Sequence, residues 1–300
     1  MSGFYRVAQG LRLSSLGIGT YLGNADDDTD RAYEAALHAA IDGGINVIDT
    51  ARNYRRERSE RAIARAIAGR KRDELILCTK AGYRIDGPGH SLDPGFLEAN
   101  LHASLANLGV AQADIFYLHN PETQSDLASL IPRAFERCEE LVSRGLIRFY
   151  GAATWNGFRA KDNAMQVHDL ADTARNIAGP GHRFRFVQLP FNLAMHEAFS
   201  LRNQRGGTSL LQAAGECGVT VIGSATVLQG RLTKDLPPQL ASKFPGLMTD
   251  AQRSIQFSRS APGMTVSLVG MSNTNHVEEN LAVKHVAPLS EAGYYSIYGK

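Results

Sequence analysis

Four side chains capable of proton transfer fall just after successive apolar runs. Asp49 and Tyr54 belong to Asn46-Val47-Ile48-Asp49-Thr50-Ala51-Arg52-Asn53-Tyr54, Lys80 closes Cys78-Thr79-Lys80, and His119 sits in Tyr117-Leu118-His119-Asn120-Pro121. A free tyrosine ionises near pH ~10, and a lysine ammonium held beside it favours the phenolate and lowers that value. Tyr54 beside Lys80 is therefore expected to donate a proton at neutral pH. Taken singly, each residue has a plainer reading. An aspartate before threonine caps a helix, a lysine after a strand is a solvated charge, and a histidine before Asn-Pro is a satisfied turn residue.

The runs that position these groups are 45–48, 75–79, 114–118, 147–150, 184–189, 219–222 and 265–269, short and rich in Val, Ile, Leu and Phe. Stretches of helical period separate them, so they read as parallel strands joined by crossover helices. A run from Leu13 to Leu22 adds one more strand. About eight strands, in a chain near the ~250 residues typical of a (β/α)8 barrel, predict that α/β fold, with chemistry at the C-terminal strand ends where the four residues lie. A doubly wound sheet would want a phosphate-binding turn, and Leu16-Gly17-Ile18-Gly19-Thr20-Tyr21 is not a GxGxxG fingerprint.

Thr29 or Asp30 is expected to cap a first helix whose stripe is Tyr33, Leu37, Ala40 and Ile41, closed by Gly43-Gly44. Further helices are expected near 59–68, 93–108, 126–144, 162–178, 207–217, 249–260 and 275–285. The segments Ser200 to Gly207 and Gln229 to Gly246 exceed ordinary barrel connections and read as loops over the active face. Residues 1–300 are expected to form a single barrel domain with a short aromatic tail from about 288 to 300, containing Tyr294, Tyr295 and Tyr298. That tail is expected to fold over the barrel mouth or to meet another subunit.

The 32 basic residues nearly balance 30 acidic ones, and a net charge of +2 argues against nucleic acid as the main partner. Neither a signal core nor an apolar run near the ~20 residues of a membrane span is evident, so a cytoplasmic protein is expected. Cys78, Cys138 and Cys217 lack CxxC spacing, and no histidine pair has metal-site spacing, so neither a disulfide framework nor a metal is expected.

The chain resembles the aldo-keto reductase family over nearly its whole length. The resemblance rests on Gly17-Ile18-Gly19-Thr20, Gly44 through Ala51 with Tyr54, Ser59-Glu60, Thr79-Lys80 and Asp114 through His119. It continues in Gly145 through Gly151, Val187-Gln188, Leu228-Gln229-Gly230-Arg231-Leu232 and Gly270-Met271-Ser272 through Glu279-Asn280. It implies NAD(P)H-dependent reduction of an aldehyde or ketone to an alcohol. In that reading Tyr54 is the general acid, Lys80 oriented by Asp49 stabilises the tyrosinate, and His119 aligns the carbonyl oxygen. The resemblance further implies that Gly19 and Thr20 border the cofactor, that Thr154 and Gln188 hold the nicotinamide carboxamide, and that the backbone through Ser224, Ala225, Val227 and Gly230 passes the pyrophosphate. Gly270, Met271, Ser272, His276, Glu279 and Asn280 would hold the adenosine end, where a helix N-terminus offers free N–H groups.

Three features depart from the family pattern. Ser224 stands where many members stack a tyrosine on the nicotinamide, and Ala153-Thr154 replaces a Ser-Asn pair. Gly270 and His276 replace the Lys and Arg that clamp the 2′-phosphate of NADPH. NADPH is the family default, with NADH less strongly excluded than usual because charge-assisted bonds to the phosphate are lost. Tyr21, Tyr83, Asn120 and Trp155 are expected to line the substrate pocket with Arg55, whose charge would suit an anionic carbonyl substrate; the competing reading pairs the arginine with a surface carboxylate. Two other functions stay open: a nucleotide-binding sensor or regulatory subunit with weak turnover, and a barrel lyase or isomerase using Lys80 as a Schiff-base amine.

Overall fold

The computed structural model describes residues 3–299; Met1, Ser2 and Lys300, the outer ends of the start segment and of the aromatic tail, lie outside the described residues. An antiparallel hairpin opens the chain, β1 (Tyr5–Ala8) and β2 (Leu11–Ser14), turned at Gln9-Gly10 with φ of 54° and 73°. Two positive φ values in a two-residue loop match the twist of paired strands. The eight barrel strands follow: β3 (Leu16–Gly19), β4 (Val47–Asp49), β5 (Ile76–Ala81), β6 (Ala113–His119), β7 (Ile147–Ala153), β8 (Phe184–Pro190), β9 (Thr220–Ser224) and β10 (Met264–Gly270). They pair in parallel in chain order, and β10 closes the barrel on β3. The run from Leu13 to Leu22 is thus the end of the hairpin and β3, not one strand.

Between the strands lie α1 (Asp27–Asp42), α2 (Arg58–Ile67), α3 (Pro94–Leu108), α4 (Leu127–Ser143), α5 (Val167–Ala178), α6 (Glu197–Ser200), α7 (Leu210–Glu216), α8 (Gln239–Lys243), α9 (Asp250–Ser260) and α10 (Thr274–Leu281), with α11 (Glu291–Tyr295) near the end. The first helix starts earlier than expected, because the Asp26 carboxylate accepts from Thr29 N at 2.8 Å and so is the cap.

Two apolar cores result. The outer one packs the helices on the outward strand faces, with Ile48, Phe116, Leu118 and Tyr150 among its members. The inner one fills the barrel with Val47, Cys78, Ile115, Tyr117, Phe149 and Phe186, plugged from below by Leu11 and Leu13 of the hairpin. Side chains alternate across a strand, so two residues after each inward Val47, Cys78, Tyr117 and Phe186 another inward position follows. Those positions are Asp49, Lys80, His119 and Gln188. Gly151 makes room for this layer, since a Cβ there would lie 2.0 Å from the Phe186 carbonyl oxygen and 3.1 Å from the Tyr117 ring.

The aromatic tail does not close the barrel mouth. Tyr294 is buried against Phe199 and Phe257, with ring centres 5.0 and 5.3 Å away, and Tyr298 stacks beside Phe199 at 5.4 Å. Packing these rings on α6 and α9 removes their apolar surface from water.

Candidate active site

Asp49 and Lys80 form an ion pair under the floor of the barrel mouth, 3% and 1% exposed. The Lys80 ammonium donates to both Asp49 carboxylate oxygens and to the Thr50 carbonyl at 2.8 Å. All three of its N–H donors are met. Burial opposes the lysine's charge, but the Asp49 carboxylate outweighs it, so the Lys80 pKa is raised. Lys80 does not line the cavity. A charged amine locked beneath the floor cannot attack a carbonyl, which removes the Schiff-base reading of this residue.

Tyr54 lies above the pair, its ring centre 5.1 Å from Lys80 Nζ. It packs edge-on against Tyr21 and His119, with centres 5.0 and 5.7 Å apart. Burial pushes the phenol pKa up, while Lys80 pulls it down; the net direction is upward. This corrects the expectation that the lysine would win, because desolvation disfavours the phenolate more than one partly neutralised ammonium favours it. The phenol is thereby kept in the form that can donate a proton.

His119 closes β6. Burial, with the Lys80 charge second, holds its pKa well below the usual histidine value, so the ring is neutral. His90 supports it from behind: Gln124 Nε2 donates to His90 Nδ1 at 2.9 Å, which leaves Nε2–H to donate to the His119 carbonyl at 2.6 Å. Gly82 leaves space for this contact, since a Cβ there would come within 2.5 Å of both partners. Tyr83 packs edge-on against both histidine rings, and its hydroxyl accepts from Asn120 Nδ2 at 2.8 Å.

These groups face a cavity of about 910 Å³ at the C-terminal strand ends, running from Tyr21, Tyr54 and Trp155 past Gln188 and Ser224 to Gly270 and Asn280. Of the positions assigned from the sequence, Asp49, Tyr54 and His119 line it, as do Tyr21, Tyr83, Asn120 and Trp155. So do Gly19, Thr20, Thr154, Gln188, Ser224, Ala225, Val227, Gly230, Gly270, Ser272, His276, Glu279 and Asn280. Met271 does not: its side chain turns into the core, and its sulfur accepts from Asn280 Nδ2 at 3.4 Å. Arg55 does not either. Its guanidinium is buried against Asp30 and the backbone of Asn24 and Asp26, so it supplies no charge to a substrate. Among the described lining residues there is no lysine or arginine.

Three features escaped sequence reasoning. Gln188 Nε2 donates to both Asp49 carboxylate oxygens at 3.3 and 3.2 Å. Glu122 accepts from the backbone N–H groups of Trp155, Asn156 and Gly157 at 2.6, 3.0 and 3.3 Å, which fixes the loop presenting Trp155. After β9, Ala225, Leu228 and Gln229 adopt positive φ of 52°, 46° and 54°, a departure costing roughly 1–2 kcal/mol per residue. Such strain concentrates at functional loops, and left-handed residues shape N–H concavities that suit anions.

A family model described as "Aldo/keto reductase family" matches residues 15–298. The chain belongs to the aldo/keto reductase family, and hence among oxidoreductases. It is 36% identical over 122 residues to "Uncharacterized oxidoreductase YqkF" of Bacillus subtilis, a match covering 39% of this chain and 38% of that one. It is 32% identical over 171 residues to D-threo-aldose 1-dehydrogenase of a Pseudomonas species, covering 48% and 51%. The matched stretches thus span about two fifths and one half of these curated relatives. Among solved structures, the fold is similar to an aldo-keto reductase from Bacillus halodurans in its holo form (TM-score 0.78, 19% identity, 98% and 95% of the two chains). It is also similar to an aldo/keto reductase from Klebsiella pneumoniae in complex with NADP and acetate (TM-score 0.76, 21% identity, 99% and 94%). Among the described residues no helix is long and apolar enough to cross a membrane.

Proposed function

We propose that the protein reduces a neutral aldehyde or ketone to an alcohol, with NADPH or NADH along the cavity and Tyr54 as general acid. The observation that carries this reading is the placement of Tyr54, neutral His119 and the buried Asp49–Lys80 pair at one end of a single cavity. The residues present fit a nicotinamide dinucleotide. Thr154, Thr226 and Asn280 line the cavity, and their buried Oγ1, Oγ1 and Oδ1 atoms have no hydrogen-bond partner in the protein, a costly state in residues that border the assigned cofactor. Thr154 and Gln188 are assigned to the carboxamide, the segment from Ser224 to Gly230 to the pyrophosphate, and Gly270 to Asn280 to the adenosine. NADP in the Klebsiella relative supports NADPH as the default.

When bound, the reduced nicotinamide supplies the hydride. The protein's residues manage the proton. The protonated Tyr54 phenol gives its O–H proton to the developing alkoxide, and the Lys80 charge lowers the cost of the phenolate left behind. Neutral His119 donates an N–H to the carbonyl oxygen and aligns it. Tyr21, Tyr83 and Trp155 wall the substrate end, and the absence of a lysine or arginine among the described lining residues favours an uncharged substrate over an anionic one. Three free thiols, two of them buried, fit the reducing conditions of a cytoplasmic enzyme.

The test is a titration of NADPH and NADH against the fluorescence of Trp155, the only tryptophan in the chain. It is followed by loss of reduced-nicotinamide absorbance with neutral and carboxylate-bearing aldehydes. Binding with turnover of neutral carbonyls is expected. Failure to bind either nucleotide would overturn the assignment, and faster turnover of the acidic aldehydes would overturn the substrate class.

A further inference from the structure

Directly after Tyr54 the backbone enters a run that no glycine relieves: Arg55, Arg56 and Glu57 have φ of 50°, 54° and 68°. Three consecutive left-handed residues with side chains persist only where the surroundings over-determine them. The Arg55 side chain provides such surroundings. Its Nε donates to the Asn24 carbonyl at 2.7 Å, and its terminal nitrogen donates to the Asp26 carbonyl at 3.2 Å and to the Asp30 carboxylate. The guanidinium also lies 5.2 Å from the centre of the Tyr33 ring, whose hydroxyl donates to the Leu22 carbonyl at 2.8 Å. Leu22, Asn24 and Asp26 belong to the connection after β3, which carries Tyr21, and Tyr21 packs against Tyr54. Ser59 Oγ, in the first turn of α2, donates to the Thr20 carbonyl at 2.7 Å and ties the start of that helix to the connection after β3.

We propose that Arg55 is a positioning residue whose guanidinium clamps the connection after β3 to the connection after β4, fixing the Tyr54 phenol against Tyr21 and over Lys80. Its kinetic consequence rests on the carbonyl-reductase reading; the clamp itself does not. An arginine suits the task because its rigid planar fork holds acceptors on separate segments in a fixed geometry, which a lysine's rotating ammonium does not. Arg58 and Arg65 also reach Asp30, at 2.8 and 3.4 Å, so removing the Arg55 guanidinium leaves that carboxylate paired and the barrel able to fold.

Three variants separate the guanidinium from the backbone. Arg55→Met keeps the Cβ and removes the charge, Arg55→Gly removes the charge and the left-handed penalty together, and Arg55→Lys keeps a single charge. In the Met and Gly variants, amide hydrogen exchange across residues 52–58 is expected to quicken by about tenfold or more, with the barrel strands unchanged. With a carbonyl substrate, kcat is expected to fall by about 10- to 10²-fold, because a displacement of about 1 Å costs up to that much, while nucleotide affinity holds. Arg55→Lys is expected to lie between these and the wild type. Unchanged exchange in Arg55→Met, or wild-type kcat in Arg55→Gly, would overturn the proposal. If the wild type reduces no carbonyl, the reductase reading fails and the exchange comparison still decides the clamp.

Discussion

Replacing Asp49 by asparagine keeps the shape of the side chain and removes one charge from the buried pair. The carboxylate serves two donors, Lys80 on both oxygens and Gln188 Nε2 at 3.3 and 3.2 Å. Asparagine offers them one acceptor oxygen and one N–H2 group, so one donor loses its partner. Lys80, 1% exposed, cannot turn to water. Removing one partner of a buried pair costs about 3–5 kcal/mol; with the Thr50 carbonyl retained at 2.8 Å, the lower figure of about 3 applies. At about 2 °C per kcal/mol for a chain of this size, Tm falls by about 6 °C at neutral pH. The pH dependence has a definite sign. In the wild type the Lys80 pKa is raised above its ordinary 10.5, so its stabilisation is complete below that value and is lost as pH rises through the folded-state pKa. In Asp49→Asn burial acts without the carboxylate, the folded-state pKa drops below 10.5, and the penalty present at neutral pH is relieved as pH rises. Thermal melts of both proteins across the alkaline range would show the Tm gap narrowing from about pH 7 to about pH 10. A gap below about 1 °C at neutral pH, or one that widens with pH, would refute the reasoning.

Two further expectations concern the ends of the cavity. Gly82→Ala places a Cβ 2.5 Å from the His119 carbonyl and His90 Nε2; steady-state kinetics should show kcat lowered by about 10-fold or more as His119 shifts, with nucleotide affinity unchanged. The double substitution Gly270→Lys and His276→Arg supplies cations to the adenosine end, and a charge-assisted bond worth about 1.5–3 kcal/mol should tighten NADPH by about 10-fold or more in fluorescence titrations while leaving NADH within about threefold.

The barrel and the placement of three of the four residues proposed as catalytic were legible because strand alternation is a local property. Asp49, Lys80 and His119 each follow an inward apolar residue by two. Tyr54 was legible from its motif alone, since it lies on a loop, and the direction of its pKa was not. The sequence displays a neighbouring charge but not the depth of burial that outweighs it. The Gln188–Asp49 bond joins residues 139 apart in the chain, a separation that pattern reading does not bridge. Arg55 was placed beside the pocket by adjacency to Tyr54, yet three positive φ angles turn its side chain towards α1 and Asp30. Met271 shows the same limit at one residue, lying between the lining positions Gly270 and Ser272 while facing the core. The end of the hairpin was merged with β3 because Leu13, Leu16 and Ile18 read as one apolar run until the register separates them.

The central claim, that Tyr54 is the proton donor for carbonyl reduction, is tested most directly by comparing the wild type with Tyr54→Phe at saturating nucleotide on a neutral aldehyde. The account predicts turnover lower by about 10²- to 10⁴-fold with nucleotide affinity and Tm unchanged. Turnover within about threefold of the wild type would contradict it.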